Sequence, residues 1–146
     1  MKRVIAFGSF DLLHPGHLLY LKRARALGDF LIVVVARDES IKKIKGRSPV
    51  MDEKSRLILI SELRCVDRAV LGKRLSEGVS KYEVFRKYKP DVIALGYDQR
   101  VDLSELKAWL SSNKINAKVV RIRGRADDKV FKSSLIKKKL ALYLKR

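Results

Sequence analysis

The stretch "RVIAFGSFDLLHPGH", residues 3–17, holds both histidines of the chain, and its reading decides the fold. Residues 3–7 form a short apolar, β-branched run that ends at Gly8, the pattern of a buried strand. Pro15 suits the first position of a helix, where its fixed φ fits and its missing N–H costs nothing. His14 then falls at the N-cap and His17 in the first turn. Free backbone N–H groups and the positive end of a helix dipole converge there, which makes a ready anion site. Gly8 permits close backbone approach at the strand end, Ser9 offers a hydroxyl, and Gly16 lets a ligand lie flat against the helix. With two imidazoles able to donate to phosphate oxygens, the stretch points to a polyphosphate ligand. Capping and packing would explain a lone histidine equally well, and metal ligation would need a third ligand that the stretch lacks.

Working outward, "FLIVVVA" (30–36) is apolar at every residue, as parallel strands covered on both faces are. "VDRAVL" (66–71), "DVIALG" (91–96) and "AKVVRI" (117–122) read as further strands. Helices are predicted from Pro15 to Gly28, from Asp52 as cap, and over "KYEVFRKY", "LSELKAWLSS" and "FKSSLIKKKLALYL". "RDESIKKIKGRSPV" (37–50) reads as a loop. Strands alternating with helices predict one α/β domain over residues 1–146, a single doubly wound parallel sheet. In such sheets ligands bind outside the carboxyl ends of the strands, near the switch in strand order. The stretches beginning at Gly8, Asp38 and Gly96 converge there.

Composition bounds the class. With 47% hydrophobic and 34% charged residues among 146, the chain reads as globular. The longest apolar run is far too short to span a bilayer, so a cytoplasmic protein with no membrane partner is expected. Cys65 stands alone, which excludes an internal disulfide and an all-cysteine metal site; its apolar neighbours predict a buried, inert thiol. Thirty-four basic against 16 acidic residues leave a net charge of +18, a field that attracts polyanions. Residues 114–146 carry +10 of it. No recognised nucleic-acid motif accompanies that charge and no aromatics interleave with it, which disfavours a nucleic-acid partner. Leu135, Ile136, Leu140 and Leu144 suit a homodimer contact or packing on the sheet equally well. G-x-G-x-x-G and Walker loops are both absent.

"GSFDLLHPGH" closely resembles the signature G-[TS]-F-D-x-x-H-x-G-H of the cytidylyltransferase-like nucleotidyltransferases. The resemblance continues through "VARDESIKKIKGRSPVM", "EKSRLILISELRCVDRAVLG", "LGYDQ" and "RGRADDKVFKSSLIKK", nearly the whole chain. It implies a Rossmann-like nucleotidyltransferase fold and transfer of a nucleoside monophosphate from its triphosphate to a phosphate ester, with release of pyrophosphate. It implies that His14 and His17 contact the phosphates and stabilise the transition state, with Lys45, alongside Lys42 or Lys43, closing over them and Arg47 assisting. The nucleotide-binding set it implies comprises Gly8, Ser9, Phe10, Asp11, Pro15, Gly16, Asp98, Arg123, Arg125, Ser133 and Ser134. Within that set Asp98 would accept from a ribose hydroxyl, and Asp11 would hold its loop through backbone N–H groups. Ser133 and Ser134 suit capping of the last helix and donation to phosphate equally. No side chains form a recognisable cage, so a divalent cation, Mg²⁺, is expected to arrive with the triphosphate.

The K-G-R-x-P and G-x-D-Q forms look most like the archaeal FAD synthase subfamily, which transfers AMP from ATP to FMN. The R-T-x-G-[IV]-S-[ST] block of cytidylyltransferases is missing before the last helix. A CTP-dependent enzyme acting on glycerol 3-phosphate or a similar phosphorylated alcohol stays as the alternative. A nucleic-acid-binding protein on the same fold is the alternative from another class. Tyr97, Trp109 and Phe131 could stack on an isoalloxazine, though core packing suits each better.

Overall fold

The computed structural model describes residues 1–123 and 133–145, with the backbone alone at 133 and 134. Five parallel strands form one sheet: β1 (Arg3–Gly8), β2 (Phe30–Val35), β3 (Arg68–Leu71), β4 (Val92–Leu95) and β5 (Lys118–Arg121), in the order β3-β2-β1-β4-β5. The helices between and after them are α1 (Pro15–Arg25), α2 (Asp38–Lys45), α3 (Glu53–Ser61), α4 (Glu83–Tyr88), α5 (Leu103–Ser112) and α6 (Ser133–Leu144). No described helix is long and apolar enough to cross a membrane.

Strand alternation divides the core. Val4, Ala6, Val33, Val35, Val92 and Ala94 face one layer with Leu21 and Ala24 of α1 and Ile60 of α3. Ile5, Ile32, Val34, Ile93 and Leu95 face the other, against Val84 and Phe85 of α4 and Leu106 and Leu110 of α5. Trp109 packs into this second layer, as expected of it. Continuous apolar runs in β1, β2 and β4 follow from this covering of both faces. An aspartate stands immediately before three strands and accepts from the backbone of a neighbour. Asp29 accepts from Lys2, Asp67 from Leu31 and Asp91 from Arg3, at 2.8, 2.7 and 2.8 Å. These bonds satisfy N–H groups at the bottom of the sheet that the ladder leaves over.

The sheet reverses between β1 and β4. The chain steps outward from β1 to β2 and β3, then returns to add β4 and β5 on β1's other side. The stretches after Gly8 and Gly96 therefore leave adjacent strand ends and diverge, opening a crevice between them.

One element departs from the sequence reading. Residues 37–50 are not all loop, since Asp38–Lys45 is helical. Ile41 is its single buried residue, and Gly46 ends it in the left-handed region at φ 73°. A two-turn helix with one core contact, surrounded by lysines, leaves too little periodicity to read. Its position comes from a buried ion-pair network at its start. Arg56 of α3 is fully buried. Its guanidinium donates to the carbonyls of Ser9 (2.7 Å) and Met51 (3.0 Å) and to Asp38 Oδ1 (2.6 Å). Asp38 and Glu53, the first residues of α2 and α3, each accept from the other's backbone N–H at 3.2 Å, and Arg37 pairs with Glu53 at 2.6 Å. One arginine thus ties α2 and α3 to the loop after β1.

Half-buried Cys65 has its thiol pushed up by burial, in keeping with an inert role. Leu135, Leu140 and Leu144 of α6 are exposed, and Ile136 is partly buried. Replacing Arg56 by Met would strand the Asp38 carboxylate and two carbonyls. We expect a loss of about 3 kcal/mol in urea-unfolding stability, against less than about 1 kcal/mol for a charge-to-neutral change at exposed Arg64.

Candidate active site

β1 ends at Gly8 and the chain turns sharply into α1. Phe10 and Leu12 adopt positive φ, 54° and 58°, each costing about 1–2 kcal/mol for an L-residue. Burial offsets this at Phe10, which is 3% exposed. A Cβ on Gly8 would lie 2.6–2.9 Å from the Phe10 ring. Gly8 is thus needed to admit that ring. Phe10 in turn meets His17 edge-on with centroids 5.5 Å apart, so the glycine fixes the imidazole through the phenyl ring.

The two histidines cap α1 reciprocally. His14 Nδ1 accepts from the Gly16 N–H at 3.1 Å, and His17 Nδ1 accepts from the His14 N–H at 3.3 Å. Their rings stack with centroids 3.8 Å apart. An Nδ1 that accepts carries no proton, so each neutral ring keeps its hydrogen on Nε2. Both residues line a cavity of about 550 Å³ at the strand ends. Burial, with His14 and Lys45 adding to it and Asp11 opposing, pushes the His17 imidazole down to about 3. Burial also lowers His14, against the pull of Asp98. Both are therefore neutral Nε2–H donors at pH 7.

The stretch after β4 contributes Gly96, Tyr97, Asp98 and Gln99 to the cavity lining. Lys45 at the end of α2, Arg47 beyond it and Lys137 of α6 line it as well. Of the lysine run, Lys45 lines the cavity and Lys42 and Lys43 do not. Asp11 accepts from the Val50 and Met51 N–H groups, both at 2.9 Å, and pairs with Lys137 at 2.5 Å. Burial alone would raise its carboxyl; those three donors outweigh it and hold it below the ordinary value. Asp11 therefore supports the loop, as expected, and also aims a lysine.

Gly8, Ser9, Phe10, Asp11, His14, Gly16, His17, Lys45 and Asp98 thus come together at one cavity. Pro15 does not: it is exposed at the first turn of α1, where it sets the helix start. Arg123 does not line the cavity either; its carbonyl accepts from Arg23. Arg125 and Phe131 lie outside the described residues, as do the side chains of Ser133 and Ser134. Sequence reasoning missed Lys137, Tyr20, Gln99 and Arg121. The Lys137 signal was hidden within a run of three lysines. Among the described residues no group of three His, Cys, Asp or Glu side chains could hold a metal ion.

A parallel α/β sheet whose first strand delivers two neutral histidine donors into a cation-lined cavity defines a nucleotidyltransferase. The chain belongs to the cytidylyltransferase-like family, whose model matches residues 5–139. It is 47% identical to the FAD synthase of Thermoplasma volcanium, over 96% of this chain and 94% of that protein. It is 48% identical to the FAD synthase of Methanothrix thermoacetophila over the same shares. A Thermoplasma volcanium crystal structure, described as a lipopolysaccharide core biosynthesis protein, is similar with a TM-score of 0.77 and 50% identity. The match covers 86% of this chain and 98% of that one.

The His17 geometry has a measurable consequence. Unfolded, this imidazole takes a proton near pH 6.5; folded, it stays neutral down to about 3. The unfolded state therefore binds the extra proton across that window, and stability falls as pH drops through it. His17→Asn keeps an acceptor for the His14 N–H but does not titrate. We expect its melting temperature to fall less steeply than the wild type's between pH 7 and 4; parallel slopes would refute the assignment.

Proposed function

We propose that the protein is an FMN adenylyltransferase, which makes FAD and pyrophosphate from ATP and FMN. The observation that carries this reading is the pair of neutral Nε2–H donors in a cavity that Asp98, Lys45, Arg47 and Lys137 also line. The names of the relatives supply the substrates. Asp98 suits a ribose hydroxyl, the histidines suit the α-phosphate, and Lys45, Arg47 and Lys137 suit the remaining phosphates.

The chemistry asks little of side chains as bases. A phosphate oxygen of FMN is already anionic, and it attacks the α-phosphorus of ATP. The new P–O bond forms as the bond from the α-phosphorus to the bridging oxygen breaks, and pyrophosphate leaves with that electron pair. What remains is alignment and stabilisation of charge on the transferring group. His14 and His17 donate to its oxygens as neutral groups. Protonating Nδ1 would break the α1 cap, so the backbone holds both rings in the donor tautomer. Asp11 is committed to two backbone amides and Lys137, so the described side chains do not build a resident cation site. Mg²⁺ fits this reading as a companion of the triphosphate, where it would neutralise phosphate charge.

The test is pyrophosphate release with Mg²⁺, pairing ATP or CTP with FMN or glycerol 3-phosphate. Release with ATP and FMN together with a new FAD peak is the expected result. Release confined to CTP and glycerol 3-phosphate would overturn the flavin reading. Nucleic-acid binding that falls steeply with salt, without turnover of any pair, would overturn transfer altogether.

His17→Ala should lower kcat by about 10²–10³, the effect of losing one preorganised donor, with the fold retained by circular dichroism. Lys45→Ala should lower kcat more than it weakens ATP binding, because a lysine at the end of a two-turn helix meets the phosphates fully only in the reacting complex.

A further inference from the structure

β1 keeps its pairing with β2 through Gly8, opposite Val35, and the Ala36 N–H still donates to the Gly8 carbonyl at 3.0 Å. Toward β4 the pairing stops two residues earlier, at Ala6 opposite Ala94. The next residue, Phe7, would stand opposite Leu95. In a parallel ladder it would take the Ala94 carbonyl with its N–H and the Gly96 N–H with its carbonyl.

The second of these bonds is not made, because the Gly96 N–H turns to a side chain, and a second side chain joins the Phe7 N–H and the Ala94 carbonyl. The Phe7 N–H donates to the Tyr20 hydroxyl at 3.3 Å, and that hydroxyl donates onward to the Ala94 carbonyl at 2.7 Å. The Gly96 N–H donates to Gln99 Oε1 at 2.9 Å, and Gln99 Nε2 donates to the Phe7 carbonyl at 2.6 Å. The hydroxyl and the carboxamide each offer one donor and one acceptor, which is what spanning an N–H and a carbonyl requires. All four backbone groups have partners, and the carboxamide stands between the Gly96 N–H and the Phe7 carbonyl where the pairing ends. Burial raises the Tyr20 phenol, so it stays protonated as the bridge needs.

The rest of the crevice depends on this spacing. A Cβ at Gly96 would lie 3.3 Å from the Gln99 side chain, so the glycine makes room for the carboxamide. Arg121 of β5 donates to the Gly96 and Gln99 carbonyls at 2.8 and 2.9 Å and clamps the same turn from the far side. Asp98 sits within that turn, with the histidine loop across the gap.

We propose that Tyr20 and Gln99 are positioning residues of the nucleotide crevice. By bonding the backbone groups where the β1–β4 pairing ends, Gln99 in place of the Gly96–Phe7 bond and Tyr20 on the Phe7 N–H and the Ala94 carbonyl, they set the separation of the segments around Gly8 and Asp98 between which the nucleoside enters. This rests on the nucleotidyl-transfer reading. Without the carboxamide the Gly96 N–H turns to the Phe7 carbonyl and the strand ends close by one step, and without the hydroxyl the two groups it bonds lose their anchor to α1.

The experiment compares the wild type with Tyr20→Phe and Gln99→Leu, which keep the side-chain bulk. ATP binding is measured by calorimetry, kcat by pyrophosphate release, and exchange of the Phe7 and Gly96 amides by hydrogen–deuterium exchange. We expect the ATP Kd to rise by about tenfold or more in both variants, from the two bonds lost in each. kcat at saturating ATP should change less than about threefold, because the α1 cap that holds His14 and His17 is untouched. Ile60→Val, a core change on α3 away from the crevice, serves as a stability control and should leave Kd unchanged. Variants that bind ATP as the wild type does, or a control that weakens binding equally, would overturn the proposal alone. A wild type that binds neither ATP nor CTP would overturn the transfer reading and this proposal with it.

Discussion

Each histidine of the pair gives one ring nitrogen to the backbone of α1, and that bond dictates what the other nitrogen can do. An Nδ1 accepting from an amide has no proton of its own, so the hydrogen rides on Nε2. Helix capping and phosphate donation are thus not competing explanations for His14 and His17. Capping uses the Nδ1 edge of each ring and leaves the Nε2 edge for the proposed donation. Their depressed basicity follows from the burial that capping imposes, so the site is built from neutral donors in a cation-rich protein. Positive charge in the cavity lining comes from Lys45, Arg47 and Lys137.

The supports of that pair reach far through the fold. Gly8 admits Phe10, and Phe10 backs His17. Arg56 holds the Ser9 carbonyl from behind while fixing the start of α2, whose other end carries Lys45. Asp11 joins this loop to the one before α3 and to α6 through Lys137. These are buried charges with several hydrogen bonds each, an arrangement that costs desolvation and yields definite geometry. In a chain of net charge +18, scarce carboxylates are placed where they can aim a cation or hold a backbone amide.

Much of this was legible beforehand. Apolar runs identified all five strands, because parallel strands covered on both faces tolerate few polar residues. Pro15 marked the start of α1 through its own geometry, and Asp52 caps α3 by accepting from the amide three residues on. Helix α2 escaped notice because one buried isoleucine among lysines makes no pattern. Lys137 escaped because three adjacent lysines look alike until a fold turns one of them toward Asp11.

The local order of residues by itself determined the strand–helix alternation, the site at the first strand's end, and the phosphate character of its ligand. Those properties depend on short-range spacing, φ preferences and cap chemistry, all carried within a few residues. Only the tertiary structure decided which of the basic residues face the cavity, since Lys45, Arg47 and Lys137 are brought together from 92 residues of separation. It alone revealed where the β1–β4 pairing ends, with Gln99 between the Gly96 N–H and the Phe7 carbonyl and Tyr20 bonded to the Phe7 N–H and the Ala94 carbonyl. A hydrogen bond between residues 92 positions apart, such as that from Gln99 to Phe7, is set by how the sheet reverses, and no local pattern encodes it.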